Sequence, residues 1–590
     1  MFGLPESKSS LTHAVSRYIR CSIVAGLGLA LQVLAPAMTF GQTSVSPASN
    51  APAPRASIPV NIRVQANDVK GTLPPVWGFF GADEPNYATM TNGHKLIGEL
   101  GAMRPKQVFF RAHNLLTSGD GTPAFKWGST EAYDEDPQGK PIYSWKILDD
   151  IFDTYLQQGV RPYVEVGFMP KALSTHPDPY QHHWAPQGGG NLYTGWSYPP
   201  KDYKKWGDLV YEWTKHNVEK FGRAEVETWY FEIWNEANIG YWKGTPAEFM
   251  KLHDYAIDGV KRALPTARVG GPDCAGSGGQ WMRNFLDHCL RGTNYATGQI
   301  GTPIDFISSH AKGAAAYVRD GAHERMGIAN HLRDIDSSFR LIASYPELKN
   351  KPIIIGESDP ESCAACQGPH LAYRNGSMYP TYTAACVARE YDLAQMHGVN
   401  FEGALTWAFE FENQPWFAGF RTLASNGIDK PVLNVFRMFS HMSEQRLTVE
   451  SDHAVPLGTM LNRGVRDDPD ISALASLKPG QVCVMVWHYH DDDLPGPAAA
   501  VTLDIRGLPS GINQVRLKHF RIDDEHSNGY TAWKRLGSPQ SPTAAQYALL
   551  EKEAQLTELE LARPLTVADG QASVAFTLPR LAVSLLELTW

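Results

Sequence analysis

Two apolar, β-prone runs in this chain each stop at a glutamate: Tyr230-Phe231-Glu232-Ile233-Trp234-Asn235-Glu236 and Pro352-Ile353-Ile354-Ile355-Gly356-Glu357. A short, unbroken apolar run reads as a strand buried on both faces, the usual state of a strand in a parallel sheet. Burying a carboxylate is costly unless it is paired or put to use. Two buried strands that both end on one restrict the fold to those that collect strand ends at a single place.

The rest of the chain up to residue 439 has the same texture. Strand-like runs fall at 76–81, 107–112, 160–166, 228–234, 267–271, 304–309, 353–356 and 403–409. Between several of them lie helical patterns, at 145–156, 202–219, 247–263 and 381–396. In the first of these, Ile147, Ile151 and Tyr155 share one face. Strands alternating with helices argue a parallel sheet. Eight such units over 76–439 argue an α/β fold of the (β/α)8 TIM-barrel type, whose functional groups sit at strand C-terminal ends. From about residue 440 the pattern shortens to alternating segments at 482–489, 499–505, 514–520, 572–578 and 581–590, separated by Gly, Pro and Asp. This predicts an accessory antiparallel β-sandwich over 440–590. The alternating segment within 58–75 is expected to join that sheet.

The N-terminus reads as an export signal over 1–41. Arg17 and Arg20 precede an apolar run at 23–31, and small residues follow at Ala35 and Ala37. The run is too short to span a membrane, so no transmembrane anchor is expected after the signal is removed. The product would be periplasmic or secreted. Residues 42–57, rich in Ser, Ala and Pro, read as a flexible tether. Export permits disulfides. Cys363-Ala364-Ala365-Cys366 lacks the second ligand pair of a zinc site, which leaves a local disulfide or two thiols. The formal net charge of −9 argues against a nucleic-acid partner.

The paired glutamates suit one chemistry. A glycosidic bond breaks through an oxocarbenium-like transition state. One carboxyl protonates the leaving oxygen, and the other attacks the anomeric carbon or activates water. Glu236 suits the first role and Glu357 the second. Asn235, beside the acid, can hydrogen-bond a sugar 2-hydroxyl. His113 and His310 follow strands and either contact sugar hydroxyls or are satisfied core histidines. Trp407 is either a floor for the sugar ring or a core residue whose indole N–H needs a partner. Glu410, Glu412 and Trp416 lie just beyond it, and Glu412 is taken as a pocket residue. Glu165, alone in an apolar strand, is expected in a barrel-interior ion pair. No metal and no cofactor is expected, because the chemistry needs none and no H-x-x-H is present.

The string Trp229-Tyr230-Phe231-Glu232-Ile233-Trp234-Asn235-Glu236-Ala237-Asn238, with Ala267-Arg268-Val269-Gly270-Gly271-Pro272 downstream, resembles the acid/base strand region of glycoside hydrolase family 39. That family includes β-xylosidases and α-L-iduronidases, and the similarity runs from roughly residue 76 to 439. The resemblance implies a retaining (β/α)8 hydrolase with an accessory β-sandwich. Glu236 matches the family's acid/base, Glu357 its nucleophile, Asn235 the 2-hydroxyl amide, and His113 and His310 the sugar-contacting histidines. Two places depart from the family pattern. Gly356 precedes the nucleophile where a Thr is usual, and the eighth-strand loop Trp407-Ala408-Phe409-Glu410-Phe411-Glu412 matches loosely.

The expected function is an exported β-xylosidase that removes xylose from the non-reducing ends of xylo-oligosaccharides. The alternatives are an arabinosidase, a β-glucosidase, an endo-acting exopolysaccharide hydrolase or a non-catalytic carbohydrate-binding protein. An iduronidase is disfavoured because no Lys/Arg pair stands out at the strand ends, with Lys312 as a reservation. The partner is an oligosaccharide or polysaccharide, and the oligomeric state is left open.

Overall fold

The structure, a computed structural model, describes residues 56–186, 191–442 and 444–590. The predicted export signal and residues 42–55 of the tether lie outside the described residues.

Eight parallel strands close into a barrel: Phe79–Ala82, Val108–Ala112, Val160–Val166, Tyr230–Ile233, Arg268–Cys274, Phe306–Lys312, Pro352–Asp359 and Asn400–Thr406. They occur around the barrel in chain order, the eighth pairing with the first. Each coincides with one of the eight runs read from the sequence. The ends differ in an informative way. The sixth and seventh strands continue past His310 and Glu357, because both residues still pair across the ladder, His310 opposite Glu357. The eighth stops at Thr406, three residues before the apolar run ends at Phe409.

Local signals set the helix boundaries. Asp202 caps Tyr203–Phe221 by accepting from the amides of Lys204 and Lys205. Thr245 and Glu248 form a reciprocal capping box on Pro246–Ala263, which also starts with a favourable proline. Along Lys146–Gln157 the buried residues Leu148, Ile151, Phe152 and Tyr155 face the barrel at helical spacing.

The C-terminal region forms a nine-stranded, mostly antiparallel sheet. Ile58–Thr72 belongs to it, antiparallel to Gln445–Ser451 and parallel to Ala499–Arg506. At its middle, Gln445–Ser451 and Asp470–Lys478 pair only through Gln445–Leu477 and Arg446–Ser476. The sheet halves on either side of this joint share one apolar core that includes Ile62, Val64, Leu503, Val484, Leu517 and Leu586. Two helices of this region, Gly529–Arg535 and Ala544–Ala554, reach the barrel. Trp533, Leu550 and Ala554 pack with Phe417 and Ile428 from the loop after the eighth barrel strand. That loop lies beside the strand ends where the site is built.

Candidate active site

Glu236 leaves the fourth strand through a kinked backbone. Trp234 and Glu236 have φ of 72° and 43°, and Asp273, across from them, has 48°. Left-handed backbone at non-glycine residues costs on the order of 1–3 kcal/mol and collects at functional sites. Here the Glu236 amide donates to the Asp273 carbonyl at 2.9 Å, which fixes the turn. Glu357 remains within its strand and points into the same space.

The two carboxylates share a neighbour. His310 Nδ1 lies 2.9 Å from Glu236 Oε1 and 3.8 Å from Glu357 Oε2. Those two distances put these two oxygens no more than about 6.7 Å apart, below most of the range of an inverting pair. The second His310 nitrogen, Nε2, is 2.8 Å from Asp273 Oδ2. Burial alone would lower the imidazole pKa, but Asp273, Glu357 and Glu236 outweigh it and push it up to about 10. His310 is therefore a cation set between two carboxylates.

Glu357 is ringed by positive charge. Lys312 Nζ is 2.5 Å from Oε2, Arg111 Nη1 is 3.7 Å from Oε1, and His113 Nε2 is 3.8 Å from Oε1. Burial pushes its pKa up, yet His310, Lys312, His113 and Arg111 together hold it well below the usual carboxylate range. Lys312 also hydrogen-bonds Asp359, and Arg421 pairs with Asp359 at 3.1 Å.

Beneath them lies a fully buried hub. Arg111 contacts Asp273 at 2.5 Å, Glu232 at 2.7 Å and Glu165 at 2.8 Å, and donates to Asn235 Oδ1 at 3.0 Å. Glu165 also holds His113 Nδ1 at 2.6 Å, so it sits in the interior ion pair expected of it. Burial and the charge of Asp273 push Glu232 up to about 8 despite Arg111. With Oδ1 fixed by Arg111, the buried Nδ2 of Asn235 is left without a protein partner.

A cavity of about 230 Å³ opens above this hub, lined by Asp83, His113, Lys126, Glu236, Tyr241, Lys312, Glu357 and Trp407 among others. Trp407 packs against the His113 ring at a tilt, with centroids 4.3 Å apart, and its indole N–H donates to Asp83 at 3.4 Å. Lys126 pairs with Asp83 at 3.1 Å. Ser362 and Ala364, which also line the cavity, flank the first cysteine of a Cys363–Cys366 disulfide.

One expected pocket residue is elsewhere. Glu412 accepts from the amides of Asn92 and Gly93, both at 2.9 Å, and so caps the helix Thr91–Met103. It sits at that helix start because the loop turns away after Phe409. Glu410 likewise accepts from the Gly427 amide, and Trp416 packs against Tyr547. Beside Glu236 and Glu357, the acids that line the cavity are Asp83 and Asp334, which no local pattern singled out. Arg111 had a usable signal: it is the only charge in Val108–Ala112, the same clue that marked Glu165. The premise against a uronate pocket also fails, because two lysines, Lys126 and Lys312, line the cavity. Lys126 comes from a loop and was invisible at the strand ends.

Among known proteins, the family model described as "Glycosyl hydrolases family 39" matches residues 124–571. A β-xylosidase of Geobacillus stearothermophilus is 26% identical over 502 residues, covering 81% of this chain and 86% of that protein. The α-L-iduronidase of Homo sapiens is 27% identical over 378 residues, 58% of this chain and 54% of its own length. The crystal structure of a monomeric β-xylosidase from Caulobacter crescentus CB15 shares the fold with a TM-score of 0.69 at 21% identity, over 90% of this chain and 99% of that one. With the family model covering most of its length and the barrel and sheet in place, this chain belongs to family 39 of the glycosyl hydrolases.

Proposed function

We propose that this chain is an exported, exo-acting, retaining β-xylosidase. Glu357 attacks the anomeric carbon while Glu236 protonates the leaving oxygen, giving a covalent glycosyl-enzyme. Glu236 then takes a proton from the water that hydrolyses it. The observation that carries this reading is the shared His310 nitrogen, which brings one oxygen of each carboxylate within about 6.7 Å of the other, below most of the range of an inverting pair. A Glu357 kept ionised by its cations is ready to act as nucleophile. The unpaired Nδ2 of Asn235 suits a sugar 2-hydroxyl, an interaction that strengthens in the transition state. Export rests on the signal-like pattern in residues 1–41.

Cavity size supports action at a chain end. About 230 Å³ is less than the ~300–1,000 Å³ of sites for drug-sized ligands, a size that favours one sugar unit over an extended chain. Charge supports a neutral sugar. Asp83, Glu236, Asp334 and Glu357 line the cavity against Lys126 and Lys312, and both lysines already face a carboxylate. Asp83, held by Lys126 and the Trp407 N–H, is placed to accept from ring hydroxyls.

The second reading is hydrolysis of a uronic acid glycoside, favoured by the same two lysines. One experiment separates the readings: hydrolysis of aryl β-D-xyloside beside an aryl α-L-iduronide. Turnover of the xyloside, loss of it in Glu357→Ala and azide rescue to the inverted α-xylosyl azide are expected. Turnover of the iduronide alone would replace the first reading with the second. Silence on both, from folded protein, would reject both.

A further inference from the structure

Behind the seventh barrel strand, away from the catalytic cavity, three buried side chains converge: His331, Cys386 and Glu390. His331 lies on the helix Ile328–Ala343, and Cys386 and Glu390 lie one turn apart on Met378–His397. One ligand atom from each falls within 4.8 Å of the others. We propose that these residues form a structural site for a zinc ion.

The two pairs that involve sulfur have spacings that fit the ion, and the His331–Glu390 pair lies within 4.8 Å. Cys386 Sγ is 3.4 Å from His331 Nδ1 and 3.7 Å from Glu390 Oε1. A tetrahedral zinc with bonds of about 2.3 Å to sulfur and about 2.0–2.2 Å to nitrogen and oxygen sets such ligand pairs roughly 3.5–3.7 Å apart. The polar inventory also fits. Glu390 Oε2 is buried and has no hydrogen-bond partner. It borders a cavity of about 20 Å³ lined also by His331, Cys386 and Tyr382. That volume holds one water, which would complete four ligands.

The outer contacts complete the argument. The other His331 nitrogen, Nε2, is 2.8 Å from Ser358 Oγ, and Ser358 Oγ donates to Glu390 Oε1 at 2.9 Å. A ligand histidine whose second nitrogen is fixed by a hydrogen bond is the usual second layer of a metal site. Zinc binding releases the Cys386 thiol proton and the proton of any protonated Glu390. Ser358 follows Glu357 directly, so the ion would join both helices to the strand that carries the nucleophile.

The test is expression of the full chain in medium supplemented with cobalt(II), which fills the site as the protein folds. Expected are one cobalt per chain by mass spectrometry and a near-ultraviolet thiolate-to-cobalt charge-transfer band. The band should vanish in Cys386→Ser. Glu390→Gln, the same size, should keep the fold and bind at least tenfold more weakly. Protein grown with zinc should carry one zinc per chain and melt several degrees higher than metal-depleted protein. Folded wild type with no thiolate band, or with cobalt bound through nitrogen and oxygen alone, would overturn the proposal and leave the cavity to a buried water.

Discussion

Asp273 Oδ2 sits 2.8 Å from His310 Nε2, and it makes His310 a cation between the two carboxylates of the site. Replacing Asp273 with Asn removes the strongest attraction holding that proton. The His310 pKa, pushed up to about 10 against the effect of burial, then falls. A raised pKa in the folded state contributes stability that is complete below the unfolded value of 6.5 and lost as pH rises through about 10. In Asp273→Asn the alkaline limb of kcat/KM therefore moves to lower pH. The neutral-pH rate should fall by about 10- to 100-fold, short of the full effect of removing an acid/base group. A pH–rate profile of both proteins, with melts at neutral and alkaline pH, checks both shifts.

Lys312 acts on the other carboxylate with the opposite sign. Its ammonium is 2.5 Å from Glu357 and is one of the cations that hold the Glu357 pKa down. A depressed carboxylate pKa contributes stability above the usual carboxylate range and keeps Glu357, the proposed nucleophile, ionised there, both lost as pH falls through the folded value. In Lys312→Met that value rises, so the acid limb of kcat/KM moves toward neutral pH. The rate at pH 5 should fall more than the rate at pH 7. The same variant separates substrates: a neutral xyloside loses kcat, whereas a uronide would lose binding and show a raised KM.

A glycine under the cavity floor is equally open to test. A Cβ at Gly81 would lie 2.6 Å from two Trp407 ring carbons and 2.7 Å from the Arg111 carbonyl. Both contacts are closer than a real Cβ tolerates, so the indole and the barrel backbone at Gly81 and Arg111 must both shift. Gly81→Ala is expected to cost about 1–3 kcal/mol as an overpacked substitution. It should also raise KM several-fold, since Trp407 packs against His113 and holds Asp83. Thermal melts and steady-state kinetics on the same preparation test both.

What the sequence made legible was whatever is local in the chain. The eight barrel strands announce themselves as apolar runs, and Glu236 and Glu357 as charges at their ends. Three strands of the second sheet were missed for local reasons. Asp470–Lys478 is rich in Ala, Ser and Leu, Gln445–Ser451 is short of apolar residues, and the edge strand Thr557–Thr566 alternates with charges. The parallel pairing of Ile58–Thr72 with Ala499–Arg506 joins segments far apart, and no local pattern encodes it. The charge network is also non-local. Arg111, Glu165, Glu232 and Asp273 come from four strands, and only barrel closure makes them neighbours. Lys126 and Asp83 meet because two loops cross the mouth, which is why the cavity looked less basic on paper than in space.

Glu412, expected in the pocket, caps a helix, while Asp83, which no local pattern singled out, lines the cavity, and a pair of substitutions tests the distinction. Glu412 accepts two amides at the start of Thr91–Met103, a helix whose preceding residue, Met90, makes no side-chain cap. Glu412→Ala leaves those amides bare and should cost about 1 kcal/mol, the typical effect of losing a cap, with KM unchanged. Asp83→Asn keeps the shape of its side chain while removing the charge that Lys126 and Trp407 hold in the cavity. It should alter stability little at neutral pH relative to its effect on kcat/KM, which should drop at least tenfold. Measuring melting temperature and kcat/KM for both variants gives two numbers that move in opposite patterns. If Glu412→Ala instead raised KM and Asp83→Asn did not, the sugar would be read from the eighth-strand loop after all, and the cavity above Arg111 would need a different occupant.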